Sequence, residues 1–124
     1  MLPAYFVNMV GFMVVVSAGM LQTFKADENV GIETIYDLTA SNRVETVPMP
    51  PHPTTDLIAY CPGDAASFRP RVRVEGYPYL VPGPVVILAL EGDRHRPLTA
   101  EEAAAFMLGP EGPDGLPVLH IRSE

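Results

Sequence analysis

Residues 2–24 read LPAYFVNMVGFMVVVSAGMLQTF and contain no charged side chain. A run of this length can cross a bilayer as a helix, which needs about 20 residues. Its composition favours a strand instead, because the valines at 14–16 and the neighbouring Val7 and Phe12 are β-branched and aromatic residues. We therefore expect the uncharged apolar segment 1–24 to form a buried strand rather than a membrane helix.

Side chains along a strand alternate between its two faces. Here both faces are apolar, so both must be covered. An uncharged, proline-free stretch such as 9–18 aggregates when exposed, and we expect it to be covered by the core, by a neighbouring subunit or by lipid. The residues on one face are therefore candidate partner contacts: Val7, Met9, Met13 and Val15.

A membrane span remains an alternative for residues 2–24. Pro3, Asn8, Ser17 and Gln22 make such a span a poor one, and no basic cluster flanks it to set its topology. The basic residues that open a signal peptide are also missing, so we expect no signal peptide. The corresponding function is a membrane-anchored accessory subunit with residues 2–24 in the bilayer.

The rest of the chain predicts several short strands around one short helix. At 124 residues there is room for one domain, and 10 glycines with 14 prolines favour short elements. Alternation or continuous apolar character predicts strands over 31–39, 44–47, 57–61, 69–79, 84–90 and 118–122. Four prolines within 48–53 predict a stiff surface connector.

A short helix is predicted over about 100–108. Thr99 followed by Glu102 forms a capping box, in which each side chain satisfies a backbone N–H at the helix start. Gly109 supplies a C-terminal cap and Pro110 prevents the helix from continuing. The expected fold class is mainly β, a small antiparallel β-barrel or sandwich of residues 1–124 as a single domain.

The charge balance argues against nucleic acid as a partner. The chain has 8 Lys plus Arg against 15 Asp plus Glu, a formal net charge of −7, which repels a phosphate backbone. Its most distinctive polar pattern is Arg69, Arg71 and Arg73 with Glu75, which share one face of a strand. Such a face is either a solvent-exposed surface paired to neighbouring acids or a strip that binds an acidic protein surface.

No recognisable catalytic or cofactor motif is present. The sequence has no phosphate-binding glycine loop and no nucleophile elbow, and His52, Asp56 and Cys61 match no standard zinc spacing. Cys61 follows an apolar strand, where a thiol is usually a small buried hydrophobe. An enzyme using Cys61 is kept as a second alternative.

These features predict a non-catalytic structural or interaction subunit of a larger homo-oligomeric assembly. Most concretely, we expect a virus-particle component such as a capsid-decorating or head–tail connecting protein. Its partners would be further copies of itself or a companion structural subunit, with the membrane as a partner only through residues 2–24. No cofactor and no metal are expected.

Overall fold

The protein is built from short strands and two short helices. The computed structural model describes residues 11–17, 19–26, 30–64, 68–111 and 114–122. Strands take up 49% of the described residues and helices 12%, which confirms the mainly β class. In chain order the elements are β1 (Gly11–Ser17), β2 (Met20–Ala26), α1 (Ile32–Thr39), β3 (Val44–Thr46), β4 (Leu57–Pro62), β5 (Arg71–Val74), β6 (Val81–Pro82), β7 (Val85–Glu91), β8 (Arg94–Arg96), α2 (Ala100–Ala103), β9 (Phe106–Glu111) and β10 (Pro117–Ile121).

The larger sheet has six strands and is antiparallel throughout. Its order is β2-β1-β7-β4-β3, and β8 forms a hairpin with the C-terminal end of β7. The continuous apolar run of β7 lies at its centre, where Val85 to Ala89 are all fully buried. A strand buried on both faces needs apolar residues at every position, which is why this one does not alternate.

Within the predicted buried strand 1–24, Gly11–Ser17 forms strand β1 with both faces covered, whereas residues 20–24 belong to the largely exposed strand β2. Val14 and Val16 belong to the main core, whereas Met13 and Val15 belong to a second cluster beneath α1. The strand ends at a tight connection, because Ser17 pairs with Met20, the first residue of β2. Within the described residues, no helix has both the length and the apolar character to span a membrane.

The smaller sheet has four strands in the order β6-β5-β10-β9. Its β5–β10 pair is parallel and its other pairs are antiparallel. Val72, Val74, Leu119 and Ile121 are buried in the main core shared with the six-stranded sheet. Neither sheet closes on itself, so the predicted barrel or sandwich is not confirmed at that level of detail.

The strand predicted over 31–39 is wrong, because Ile32–Thr39 is helix α1. Its buried residues are Ile35 and Thr39, which lie four positions apart on one face of a helix. This face covers the second apolar cluster, and the Thr39 hydroxyl donates to the Ile35 carbonyl at 2.8 Å. Ala40 then ends the helix in the left-handed conformation, with φ 54°.

The C-terminal helix is shorter than the predicted 100–108. The capping box of Thr99 and Glu102 is confirmed, but α2 ends at Ala103, and Phe106–Glu111 is strand β9. Pairing with β10 explains the difference, because Phe106 is buried in the main core and lies opposite Ile121 in the β9–β10 pair. Gly109 therefore lies within a strand, not at a helix end.

Candidate interaction surface

Strand β2 forms one edge of the six-stranded sheet. Phe12 lies opposite Lys25, yet the N–H and C=O of Phe12 both bond to Leu98 on the other side of β1, each at 2.8 Å. Opposed residues in an antiparallel pair exchange both backbone bonds or neither. Lys25 therefore directs its own N–H and C=O away from β1, and by alternation Thr23 and Leu21 do the same.

The side chains of β2 add apolar surface to these backbone groups. Met20 is 57% exposed and Phe24 is 38% exposed, both on the α1 side of the sheet. Lys25 is the single charged residue of the strand. We call this surface the β2 edge; it comprises the outward backbone groups of Leu21, Thr23 and Lys25 and the side chains of Met20 and Phe24.

The other strand edges in the described residues carry features that discourage pairing with a further strand. β3 is three residues long and contains Glu45, and β6 is two residues long and ends in Pro82. β8 is three residues long with two arginines, and β9 contains Pro110 beside a register shift. Short length, charge, proline and bulges are the usual means of blocking an edge. β2 has seven residues, no proline and one charge.

The sequence contains a signal for β2 that the prediction of one strand over 1–24 misses. Ser17 and Gly19 are turn-forming residues within the segment, and Gln22 and Thr23 interrupt its apolar character. Together they indicate a hairpin rather than a single strand.

The arginine stripe, Arg69, Arg71 and Arg73, does not form one surface. Val72 and Val74 of β5 point into the core, but Arg69 lies before β5 and is only 6% exposed. The Arg69 guanidinium forms an ion pair with Asp64 at 2.9 Å. It also donates to the carbonyl oxygens of Thr39 and Ala40, at 2.7 and 2.8 Å.

The remaining arginines of the stripe differ from Arg69. Arg73 binds Asp114 through two nitrogens and donates to the Pro78 carbonyl at 3.2 Å. Arg71 is half-buried on β5. The contact with Arg73 lowers the pKa of the Asp114 carboxyl.

The predicted apolar contacts are divided between the core and the undescribed N-terminus. Met13 and Val15 are 4% and 6% exposed in the cluster beneath α1, together with Ile35. Val7 and Met9 lie outside the described residues. Of the apolar residues exposed on β2, Phe24 is the neighbour of the predicted contact Met13 across the hairpin.

Cys61 is buried, and His52 and His95 have hydrogen-bond partners within the fold. Burial, followed by the nearby charge of Glu45, raises the pKa of the Cys61 thiol, which keeps it in the unreactive protonated form. Nδ1 of His52 accepts from the Thr54 N–H at 3.2 Å, so Nε2 carries the hydrogen and donates to the Glu102 carbonyl at 3.3 Å. His95 Nε2 lies 2.6 Å from the Tyr60 hydroxyl.

A cavity of about 390 Å³ lies between the proline-rich residues 48–53 and β4. Its walls include Met49, Leu57 and Leu90, with His52 and Asp56 among the polar residues. Because both ring nitrogens of His52 already have partners, this cavity lacks an available imidazole. Nowhere in the described ranges do three His, Cys, Asp or Glu residues cluster as a metal site.

Comparison of the chain with protein-family models, curated proteins and solved structures found no match.

Proposed function

We propose that the protein is a non-catalytic structural subunit that binds other copies of itself through the β2 edge. The β2 edge supports this because its outward backbone groups bind no described residue, and because β2, with Met20 and Phe24 exposed, lacks the blocking features present on the other described edges. A strand added there extends the six-stranded sheet through backbone hydrogen bonds, which need no particular side-chain chemistry. The virus-particle role stays a prediction from sequence type alone.

The two alternative functions have less support from the described residues. The membrane-anchored alternative needs a helix at 2–24, whereas Gly11–Ser17 and Met20–Ala26 pair as strands of a sheet. The enzyme alternative needs an accessible thiolate, whereas Cys61 is buried and its thiol pKa is raised.

Sedimentation velocity of the purified chain, measured over a range of concentrations, tests the proposal. We expect the 13.5 kDa chain to associate and Thr23→Pro to weaken this association at least about tenfold. The N–H of Thr23 points away from β1, so proline there removes donors at the free edge without breaking the β1–β2 hydrogen bonds. Each copy then lacks the N–H donor of residue 23, and the proline ring occupies space where the partner strand would lie.

Thr46→Pro is the matched control on edge strand β3. Val47 donates its N–H to Ala59 at 2.9 Å, so the N–H of the preceding Thr46 points away from β4. Both threonines are exposed. We expect Thr46→Pro to associate like the unmodified chain. A monomeric unmodified chain, or undiminished association of Thr23→Pro, would contradict the proposal.

A further inference from the structure

We infer that two copies join β2 to β2 antiparallel in one register, with Thr23 opposite Thr23 on a two-fold axis. This inference rests on the proposed function and specifies its interface. Symmetry requires the same surface from both copies. It also limits the possible registers. In a symmetric antiparallel pair of identical strands, the two-fold axis passes beside one residue, which lies opposite its own copy in the partner strand.

Backbone hydrogen bonding selects the register centred on Thr23. The outward groups belong to Leu21, Thr23 and Lys25, as derived from the β1–β2 and Phe12–Leu98 pairings. With Thr23 on the axis, Leu21 of each copy lies opposite Lys25 of the other, and all three residues bond in both strands. Centring on Gln22 leaves Lys25 opposite Gly19 in the turn, and centring on Phe24 moves Leu21 beyond the end of the partner's β2.

The side chains are compatible with this register on both faces of the sheet. On the α1 side, Met20 faces Ala26 and Gln22 faces Phe24, which places the two copies of Phe24 diagonally across the axis. The aromatic rings and methionines exposed in one copy thereby cover one another. On the opposite side Leu21 faces Lys25, whose methylene chain can lie over the leucine side chain while its amine stays in water.

Charge opposes the approach of a second copy less at this strand than over most of the surface. The chain has a net charge of −7, so most of its surface repels another copy. β2 contains no acidic residue. In this register the two Lys25 residues are offset by four positions, or about 13 Å along the strands, which exceeds the screening length at physiological salt.

Cysteine cross-linking of the full chain tests the register. Thr23→Cys is expected to form a covalent dimer on mild oxidation, because residues opposed as a hydrogen-bonded pair have Cα atoms about 5.5 Å apart, within disulfide range. Leu21→Cys and Lys25→Cys should each form little dimer alone but cross-link when the two variants are mixed. We expect Thr23→Cys to react at least about tenfold faster than Gln22→Cys or Phe24→Cys.

The controls separate the register from the proposed function. The unmodified chain, whose one thiol is the buried Cys61, is the blank, and Thr46→Cys places a thiol on a different edge. Association in sedimentation with fastest cross-linking at position 22 or 24 overturns the register and leaves self-association through the β2 edge standing. Fastest cross-linking at position 46 moves the interface to β3 and overturns the register and the β2 edge together. A monomeric chain overturns both. Covering of the β2 edge by residues 1–10 is one such outcome, and it would leave Thr23→Cys monomeric and slow to react.

Discussion

At the scale of single residues, the Glu102 side chain holds together three separate parts of the chain. Its carboxylate accepts two hydrogen bonds from Arg96, at 3.1 and 3.0 Å, one from the Thr99 backbone at 2.8 Å and one from the Thr55 hydroxyl. It therefore links the start of α2 to β8 and to the segment before β4. Burial alone would raise the pKa of the carboxyl, but these bonds outweigh burial and lower it to about 2.

We expect Glu102→Gln to lower the free energy of unfolding at pH 7 by about 2 kcal/mol, because charge-assisted bonds to Arg96 are lost. The folded-state pKa of about 2 lies below the usual 4.5, so the stabilisation is present above pH 4.5 and is lost as the pH falls toward 2. The difference in the free energy of unfolding between the variant and the unmodified chain should thus be smaller at pH 3 than at pH 7. Urea unfolding at both pH values measures this difference.

Glu101→Gln is the matched control for this experiment. Glu101 lies in the same first turn of α2 but is exposed. We expect its replacement to change stability by less than about 0.5 kcal/mol at either pH. An equal effect of both substitutions would indicate a general helix-dipole contribution rather than the specific bonds of Glu102.

The sequence predicted one part of the Glu102 contacts and not the rest. The capping box joins Thr99 to Glu102 across three positions, so local spacing is enough to reveal it. Thr55 is 47 positions away along the chain and meets Glu102 only because the segment before β4 lies beside the start of α2. The same reasoning applies to Arg69, whose acceptors on Thr39 and Ala40 lie 30 and 29 positions away.

At the scale of elements, Arg69 stabilises the end of α1. The last carbonyl groups of a helix have no partner within it, and burial without a partner is costly. Arg69 satisfies those of Thr39 and Ala40. We expect Arg69→Met to lower the free energy of unfolding by about 3 kcal/mol, measured by urea denaturation.

Arg71→Met is the matched control, because it makes the same substitution at an arginine of β5 that does not satisfy carbonyl groups at the end of α1. No hydrogen bond joins the Arg71 side chain to another residue in the part of the chain that the structure describes, so we expect a change below about 0.5 kcal/mol. Equal losses for both variants would contradict the assignment of Arg69 to the α1 terminus. The result also bears on the predicted stripe, because a structural Arg69 cannot at the same time bind a partner.

The two misassigned elements show where local patterns are ambiguous. In 32–39, apolar and polar residues alternate almost as well as they follow helical spacing, and the segment is too short for either period to dominate. At 106–108 the error is the opposite one: a helix is predicted, and Met107 and Leu108 have high helix propensity, but a strand forms. Pairing with β10 and burial of Phe106 override that propensity. The continuous apolar strand β7 was predictable because its period is unambiguous.

For the whole molecule, the distribution of charge and of blocked edges points to the same surface. The two sheets share one core, and their described edges end in short, charged or proline-containing strands except at β2. This property involves every edge together, so no single sequence window reveals it. The net charge of −7 adds a second constraint, since it leaves few surfaces where two copies could meet.

This charge gives the proposed association a characteristic dependence on salt. Two copies with a net charge of −7 repel each other, whereas the proposed β2 contact would consist of backbone hydrogen bonds and apolar side chains that salt does not screen. Raising NaCl from about 20 to about 300 mM should tighten the dimer about three- to tenfold. Sedimentation equilibrium at the two concentrations measures this. An interface made by the arginine stripe against acidic residues would weaken instead, so the sign of the change distinguishes the two surfaces.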